Sequence, residues 1–359
     1  MNLHNGAQYN ASSGDGVGML ESLNSAVVTL TGGTGSFGTI MASHLLKEDV
    51  SEIRIFSRDE NKQDAMRNKF RDERLKFFIG DVRDSKSVEN AISGSTYIFH
   101  AAALKQVPSC EFFPMQAHAT NVVGSSNVIE SAVRNEVKGI VCLSSDKAVY
   151  PINTMGMTKA LMEKVAQSVA RNHPHSQTKI AITRYGNVMM SRGSVIPLFI
   201  DQIKSKTPIT LTNPAMTRFM MSLSDSVNLV KYAFTNATTG DLFVRKAPAC
   251  TIETLAKALL KIFDAEGKID IQIIGTRHGE KLYESLLSTE ERARSTDCGE
   301  YFKVSLDTRT LDYRGYFEKG NTISTELEAY TSHNTDQLSV DEVAKLVSGL
   351  PEFIELARI

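Results

Sequence analysis

The run Ser144-Ser145-Asp146-Lys147-Ala148 places hydroxyl, carboxyl and amine groups in consecutive positions, directly after the apolar stretch Ile140–Leu143. A further amine, Lys159, follows within the helix-like stretch Met155–Ala170. Groups of these types transfer protons near neutral pH when burial or neighbouring charge moves their pKa values toward the working range. The plainer account is a polar turn at a strand end, where Ser and Asp commonly cap the backbone. The rest of the chain decides between the two by supplying, or not supplying, a reaction partner.

One partner is written near the start. Thr31-Gly-Gly-Thr-Gly-Ser-Phe-Gly38 lies between an apolar strand and a helix, with Gly32, Gly35 and Gly38 in G-x-x-G-x-x-G spacing. In a dinucleotide loop the first glycine permits the tight turn, the second lets backbone approach a pyrophosphate, and the third lets the helix pack closely on the strand. The helix start offers N–H groups and a positive dipole end to phosphate, so Thr34, Ser36 and Phe37 are expected beside the ligand with the glycines. At the end of the second strand, where an NAD-preferring enzyme usually carries Asp or Glu, this chain has Ser57-Arg58, with Asp59 and Glu60 one step later. Arg58 can stack on adenine and pair with a 2′-phosphate, and Ser57 can donate to it, which favours NADP. Asp81-Val82 suits the adenine edge, and Ala101 and Ala102 after His100 are small enough for a cofactor to lie against backbone.

These residues need a scaffold, and the hydrophobic pattern specifies one. From Ser25 apolar strands alternate with amphipathic helices, which predicts an α/β fold with a doubly wound parallel sheet of Rossmann type. Strands are expected at Val27–Leu30, Ile53–Phe56, Leu75–Ile79, Tyr97–Phe99, Ile140–Leu143 and Ile180–Arg184. Helices are expected at Ser36–Leu46, Met115–Arg134 and Met155–Ala170. After Asn187 prolines break the rhythm, which predicts a dinucleotide-binding domain over 25–187 and a smaller substrate-binding lobe over 188–359. A helix at Thr251–Phe263 and another capped by Ser339 with Glu342 belong to that lobe. Residues 1–24 contain no Lys or Arg, are rich in Gly, Ser and Asn, and read as a disordered leader.

Bulk properties exclude several classes. Across 359 residues the net charge is −1, which argues against nucleic-acid binding. No apolar run approaches the roughly 20 residues that cross a bilayer. The four cysteines show no metal-ligand spacing, so no metal is expected, and unpaired thiols fit a cytoplasmic location.

The chain resembles the extended short-chain dehydrogenase/reductases, and within them the inverting UDP-N-acetylglucosamine 4,6-dehydratases of capsule and O-antigen synthesis, which make N-acetyl-L-fucosamine precursors. The likeness is carried in order by SRDE (57–60), GDVRDS (80–85), HAAALKQVPSCEFFP (100–114), SSDKAVYPIN (144–153), TRYGNV (183–188), SRGSVIPLFI (191–200), MTRF (216–219) and GTRHGEK (275–281). It implies oxidation at sugar carbon 4, proton loss from carbon 5, departure of the carbon-6 hydroxyl and return of the hydride to carbon 6, with tightly bound NADP recycled. It makes Asp146 the acid and Lys147 the base, which asks for a raised and a lowered pKa respectively. Ser145 would bond the carbon-4 oxygen and Lys159 the nicotinamide ribose. Lys105, Asn121 and Tyr185 are implied near the sugar, Asn187 and Arg218 at the diphosphate, and Arg277 and Glu280 at the phosphate and uridine ribose; Arg192 is a further candidate. A homo-oligomer is also implied.

One position departs from the usual pattern. Most short-chain dehydrogenases have Tyr-x-x-x-Lys, and here Met155 stands where the tyrosine would be. A thioether cannot take a proton. The inverting subgroup tolerates methionine there, yet the base for the carbon-4 hydroxyl is left among Tyr150, a water chain and Lys147 acting twice. Two other functions compete. A UDP-hexose 4-epimerase needs no dehydrating acid–base pair. An inactive NADP-binding regulator would explain the missing tyrosine but not the retained Asp146, Lys147 and Lys159.

Overall fold

The computed structural model describes residues 23–191, 193–276, 279–307 and 327–357. Strands β1 (Val27–Thr31), β2 (Glu52–Ser57), β3 (Leu75–Ile79), β4 (Tyr97–His100), β5 (Gly139–Leu143) and β6 (Lys179–Arg184) form a parallel sheet in the order β3-β2-β1-β4-β5-β6. All six fall within two residues of their expected bounds. Every residue of β4 and β5 is buried, because helices cover both faces. One apolar layer sets Val88, Val128 and Met162 against the sheet, and the other sets Met41, Leu45 and Val230 against the opposite face. Strand order reverses between β1 and β4, and open α/β sheets bind ligands in the crevice at that point.

The chain beyond Val188 serves two bodies. The strand Leu242–Arg245 pairs in parallel with β6, and the antiparallel hairpin Ser295–Cys298/Tyr301–Val304 extends the same sheet to nine strands. A separate apolar core joins Phe199 and Ile203 of the helix Val195–Lys204 to Leu255 and Leu259 of Ile252–Ile262 and Val343 and Val347 of Val340–Ser348. The Ser339–Glu342 capping box is formed, and Thr251 caps the helix that follows it. The leader expected over residues 1–24 lies almost wholly outside the described residues. Among those described, no helix is long and apolar enough to cross a membrane.

The expected helix Met115–Arg134 is instead three pieces: Pro114–His118, a π-helical turn Ala119–Val123, and Gly124–Arg134. The wider turn carries Asn121, whose Nδ2 donates to Leu104 O (3.0 Å) and Thr158 Oγ1 (3.0 Å) while Oδ1 accepts from Leu104 N (2.8 Å). Such turns within regular helices occur frequently at functional sites. Periodicity alone does not reveal one, since it inserts a single residue into an otherwise continuous apolar stripe.

Candidate active site

A cleft of about 960 Å³ opens at the C-terminal ends of β1, β4, β5 and β6. The glycine loop forms one wall. Gly32 has φ +65°, and a Cβ there would lie 2.8 Å from Ala102 N; one on Gly38 would lie 2.5 Å from Gly33 Cα. Neither contact is sterically tolerable, so close approach requires both glycines, and at Gly32 the positive φ favours one as well. The helix α1 (Ser36–Leu45) starts at Gly35 with no side-chain cap, leaving its first turn directed at the cleft. Gly38→Ala is expected to force α1 away from the loop, costing about 1–3 kcal/mol and weakening dinucleotide retention. Urea unfolding and dinucleotide content after gel filtration would check this; an unchanged midpoint and full retention would contradict it.

Farther along, Ser57, Arg58, Asp81 and Val82 line the cleft, as do Ala101 and Ala102. Arg58 is about half exposed, its NH1 3.6 Å from Asp81 Oδ2. Ser57 Oγ accepts from Gln63 Nε2 at 3.1 Å, so its own proton can be donated elsewhere. The acid that follows β2 has another task. Asp59 is the N-cap of the helix Glu60–Phe70, accepting from Lys62 N at 3.0 Å and pairing with Lys62 Nζ, and those bonds hold its carboxyl below the usual range. Lys62 brings a second cation to this end of the cleft. The sequence reading missed it because it belongs to a helix that reads as solvated throughout. Asp81 is held by Arg83; burial pushes its carboxyl up, but these bonds outweigh burial and leave it low.

The other end of the cleft gathers the titrating groups. Asp146 opens a 3₁₀ turn, Asp146–Ala148, in which Ser145 Oγ accepts from Lys147 N. Gly156 abuts the carbonyl of Lys147 with no room for a Cβ, so this turn is pressed onto the start of the helix Thr154–Asn172. Asp146 is buried; its Oδ1 accepts from Ser145 Oγ (2.7 Å) and Lys147 Nζ (3.1 Å), and its Oδ2 has no hydrogen-bond partner. Lys147 also lies 3.4 Å from Glu284 Oε1, and Arg218 Nε is 3.9 Å from the same oxygen. Burial pulls the Lys147 amine down, but Asp146 and Glu284 together outweigh it and hold the group above its ordinary pKa. That reverses the lowering a resting base would need. Burial raises the Glu284 carboxyl. Glu284 was missed in the sequence because it follows GTRHGEK by three residues and reaches the cluster only through the tertiary fold.

Met155, Lys159 and Tyr185 complete this end. Lys159 Nζ donates to Leu143 O at 2.8 Å, and burial pushes its amine down to about 8. Met155 is buried beside Cys110 and Ala117. Burial, then the Asp146 charge, raises the Tyr185 phenol far above its usual value. Tyr150 is half exposed, does not line the cleft, and accepts from Thr289 N at 3.0 Å. His100 is held between Thr31 Oγ1 (2.6 Å) and Ser125 Oγ (2.8 Å), and burial lowers its ring to about 3, which makes it a neutral structural histidine.

Of the substrate-side candidates, Lys105, Tyr185 and Asn187 line the cleft. Asn187 Oδ1 and Ser194 Oγ are buried there without hydrogen-bond partners, as acceptors and donors for a polar ligand would be. Asn121, Arg218 and Glu280 do not line it: Asn121 braces Leu104 and Thr158, and Arg218 donates to Thr217 O (2.8 Å) and Lys281 O (3.0 Å). Arg192 and Arg277 lie outside the described residues. No cluster of His, Cys, Asp and Glu among the described residues could hold a metal ion.

Residues 28–306 match a family described as polysaccharide biosynthesis protein, and residues 307–353 match the corresponding C-terminal family. The chain is 55% identical over 325 residues to a protein of Rickettsia felis named UDP-glucose 4-epimerase, covering 89% of this chain and 95% of that one. It is 56% identical over 322 residues to the protein of the same name from Rickettsia rickettsii, covering 89% and 94%. Among solved structures, Pen from Bacillus thuringiensis superposes with a TM-score of 0.82 at 34% identity, covering 91% of this chain and 99% of that one. DesIV, a dTDP-glucose 4,6-dehydratase from Streptomyces venezuelae with NAD bound, shares the fold at a TM-score of 0.64 and 21% identity, over 71% of this chain and 86% of that one.

Proposed function

The chain belongs to the polysaccharide biosynthesis protein family, and from that premise we propose that it is a UDP-N-acetylglucosamine 4,6-dehydratase that inverts carbon 5. The coarser statement, a nucleotide-sugar-modifying enzyme of the dehydratase and epimerase kind, is common ground between this reading and the name its Rickettsia relatives carry. The observation that carries the finer reading is the Asp146–Lys147 pair, its carboxyl buried and its amine partly exposed to the cleft, with buried Glu284 against it at the end of β5. An epimerase moves a hydride out and back and needs one base; three titrating groups in contact suit a reaction that also removes a carbon-bound proton and expels a hydroxyl.

In this reading bound NADP would supply the hydride acceptor for carbon 4 and, once reduced, the hydride donor for carbon 6. The glycine loop and α1 would hold its pyrophosphate, and Ser57, Arg58 and Lys62 its 2′-phosphate. Arg58→Ala is therefore expected to weaken NADP binding by roughly 10- to 100-fold while NAD binding changes little, which isothermal titration with each dinucleotide would measure. Equal losses for both would remove the phosphate role. Lys147 takes the carbon-5 proton, Asp146 protonates the departing hydroxyl, and Ser145 bonds the carbon-4 oxygen. Tyr150 lies away from the cleft and Met155 carries no titrating group, which leaves the carbon-4 base to Lys147 acting twice or to a water chain, with Lys159 beside them.

The deciding experiment follows UDP-N-acetylglucosamine by proton NMR in deuterated water. A 6-deoxy methyl signal with deuterium at carbon 5 supports the proposal. UDP-N-acetylgalactosamine without exchange, or epimerisation of UDP-glucose alone, replaces it with the epimerase reading that the relatives' name favours.

A further inference from the structure

We propose that Glu284 is the proton partner of Lys147, taking the ammonium proton from Nζ so that the lysine meets the sugar as a neutral amine, and releasing it to solvent once Nζ has taken up the carbon-5 proton. This rests on the dehydratase reading for the use made of the amine, but not for the proton sharing itself.

The geometry favours exchange over a simple tether. Glu284 is 3% exposed, and its Oε1 lies 3.4 Å from Lys147 Nζ while Oε2 is buried without a hydrogen-bond partner. A carboxylate kept only as an anchor would be expected to have both oxygens satisfied, since an orphaned buried oxygen costs about 1–3 kcal/mol. In the transfer an N–H bond on Lys147 breaks and an O–H bond forms on Glu284. An ammonium and a carboxylate become an amine and a carboxylic acid. Both charges vanish together, which a buried site favours, and no outside donor or acceptor is needed.

The backbone holds Glu284 in place for this. Its N–H donates to Ser332 Oγ at 3.0 Å and its carbonyl accepts from Ser332 N at 2.8 Å, beside the strand pair Ser285–Leu287/Tyr330–Thr331. The groups around it come from several elements. Asp146 and Lys147 face it from the 3₁₀ turn, Arg218 from the strand Thr217–Phe219, and Lys281 from its own segment with Nζ bound to Val149 O. His333, next to Ser332, is turned to Thr217 Oγ1 at 2.7 Å. Burial first, and then Asp146, favour the protonated form of Glu284, while Lys147, Arg218 and Lys281 oppose it.

The test uses the full chain and the variants Glu284→Gln and Glu284→Asp. First, the pH midpoint for acetylation of Lys147 by acetic anhydride is read by peptide mass spectrometry. It should fall by about one pH unit in Glu284→Gln, because a neighbouring negative charge is lost. Second, kcat of Glu284→Gln should fall roughly 100-fold at neutral pH, with KM changed less than about threefold, and recover as pH rises past the new midpoint, where solvent takes the proton instead. Glu284→Asp should restore part of the rate. A purely structural Glu284 predicts a loss independent of pH. That result, or an unchanged acetylation midpoint in a variant whose melting curve shows it is folded, overturns the proposal. A shifted midpoint in a protein that does not dehydrate the sugar overturns the functional reading alone and leaves the proton partnership standing.

Discussion

Lys147→Met is expected to lower kcat for dehydration by about 1,000-fold or more while the protein still binds dinucleotide and nucleotide-sugar. The methionine preserves most of the length and bulk of the side chain and removes only its titrating group. Lys147 is part of a chain of contacts rather than an isolated charge, touching Asp146 at 3.1 Å and Glu284 at 3.4 Å. Its loss therefore also leaves two buried carboxyls without their shared cation, and at least one should hold a proton at neutral pH. If carbon-4 oxidation does not depend on this lysine, reduced dinucleotide should accumulate in the variant and be visible by its near-ultraviolet absorbance, with no deuterium entering carbon 5. If the lysine also serves as the carbon-4 base, neither signal appears. A variant that retains more than a tenth of the normal kcat would show that another group removes the carbon-5 proton.

The second large effect concerns stability. Arg184, at the end of β6, is 3% exposed and makes paired hydrogen bonds to Glu163 (2.9 and 2.6 Å) and to Glu291 (2.7 and 2.9 Å). Glu163 also accepts from the Oγ of Ser144, two residues before Asp146, and lies one helical turn after Lys159. Arg184→Met should cost about 3–5 kcal/mol, because two carboxylates lose the buried guanidinium that pairs with both. A lower urea midpoint with an unchanged slope would report it. Replacing Arg184, Glu163 and Glu291 together by apolar residues should recover much of the loss, since a well-packed apolar cluster avoids desolvating the ions.

The pH dependence has a definite sign. Burial raises the Glu291 carboxyl, but Arg184 outweighs burial and holds it below its ordinary value of 4.5. A depressed acid contributes stability that is present above the ordinary value and is lost as pH falls through the depressed one. The gap between the native protein and Arg184→Met should therefore narrow in acid below that range. A loss under 1 kcal/mol at neutral pH would mean that water or repacking replaces the arginine.

Local pattern by itself determined the parallel strands, the glycine loop and the placing of Asp146 and Lys147 at the end of β5. Each depends on residues within one strand–turn–helix unit: an apolar run too short for a helix, glycines where backbone must touch backbone, polar residues where the strand stops. It also placed Arg58 at the cleft and Met155 one turn before Lys159. The tertiary structure alone decided how those groups are charged. Glu284 comes from 137 positions beyond Lys147 and Arg184 binds a glutamate 107 positions away, and no spacing rule links segments brought together by chain closure. The same closure carried Leu242–Arg245 back to the large sheet, placed Arg218 against Glu284, and held the Lys147 amine above its ordinary pKa where the family resemblance implies one below it. Burial and charge are sums over everything nearby, so they exist only once the chain has folded.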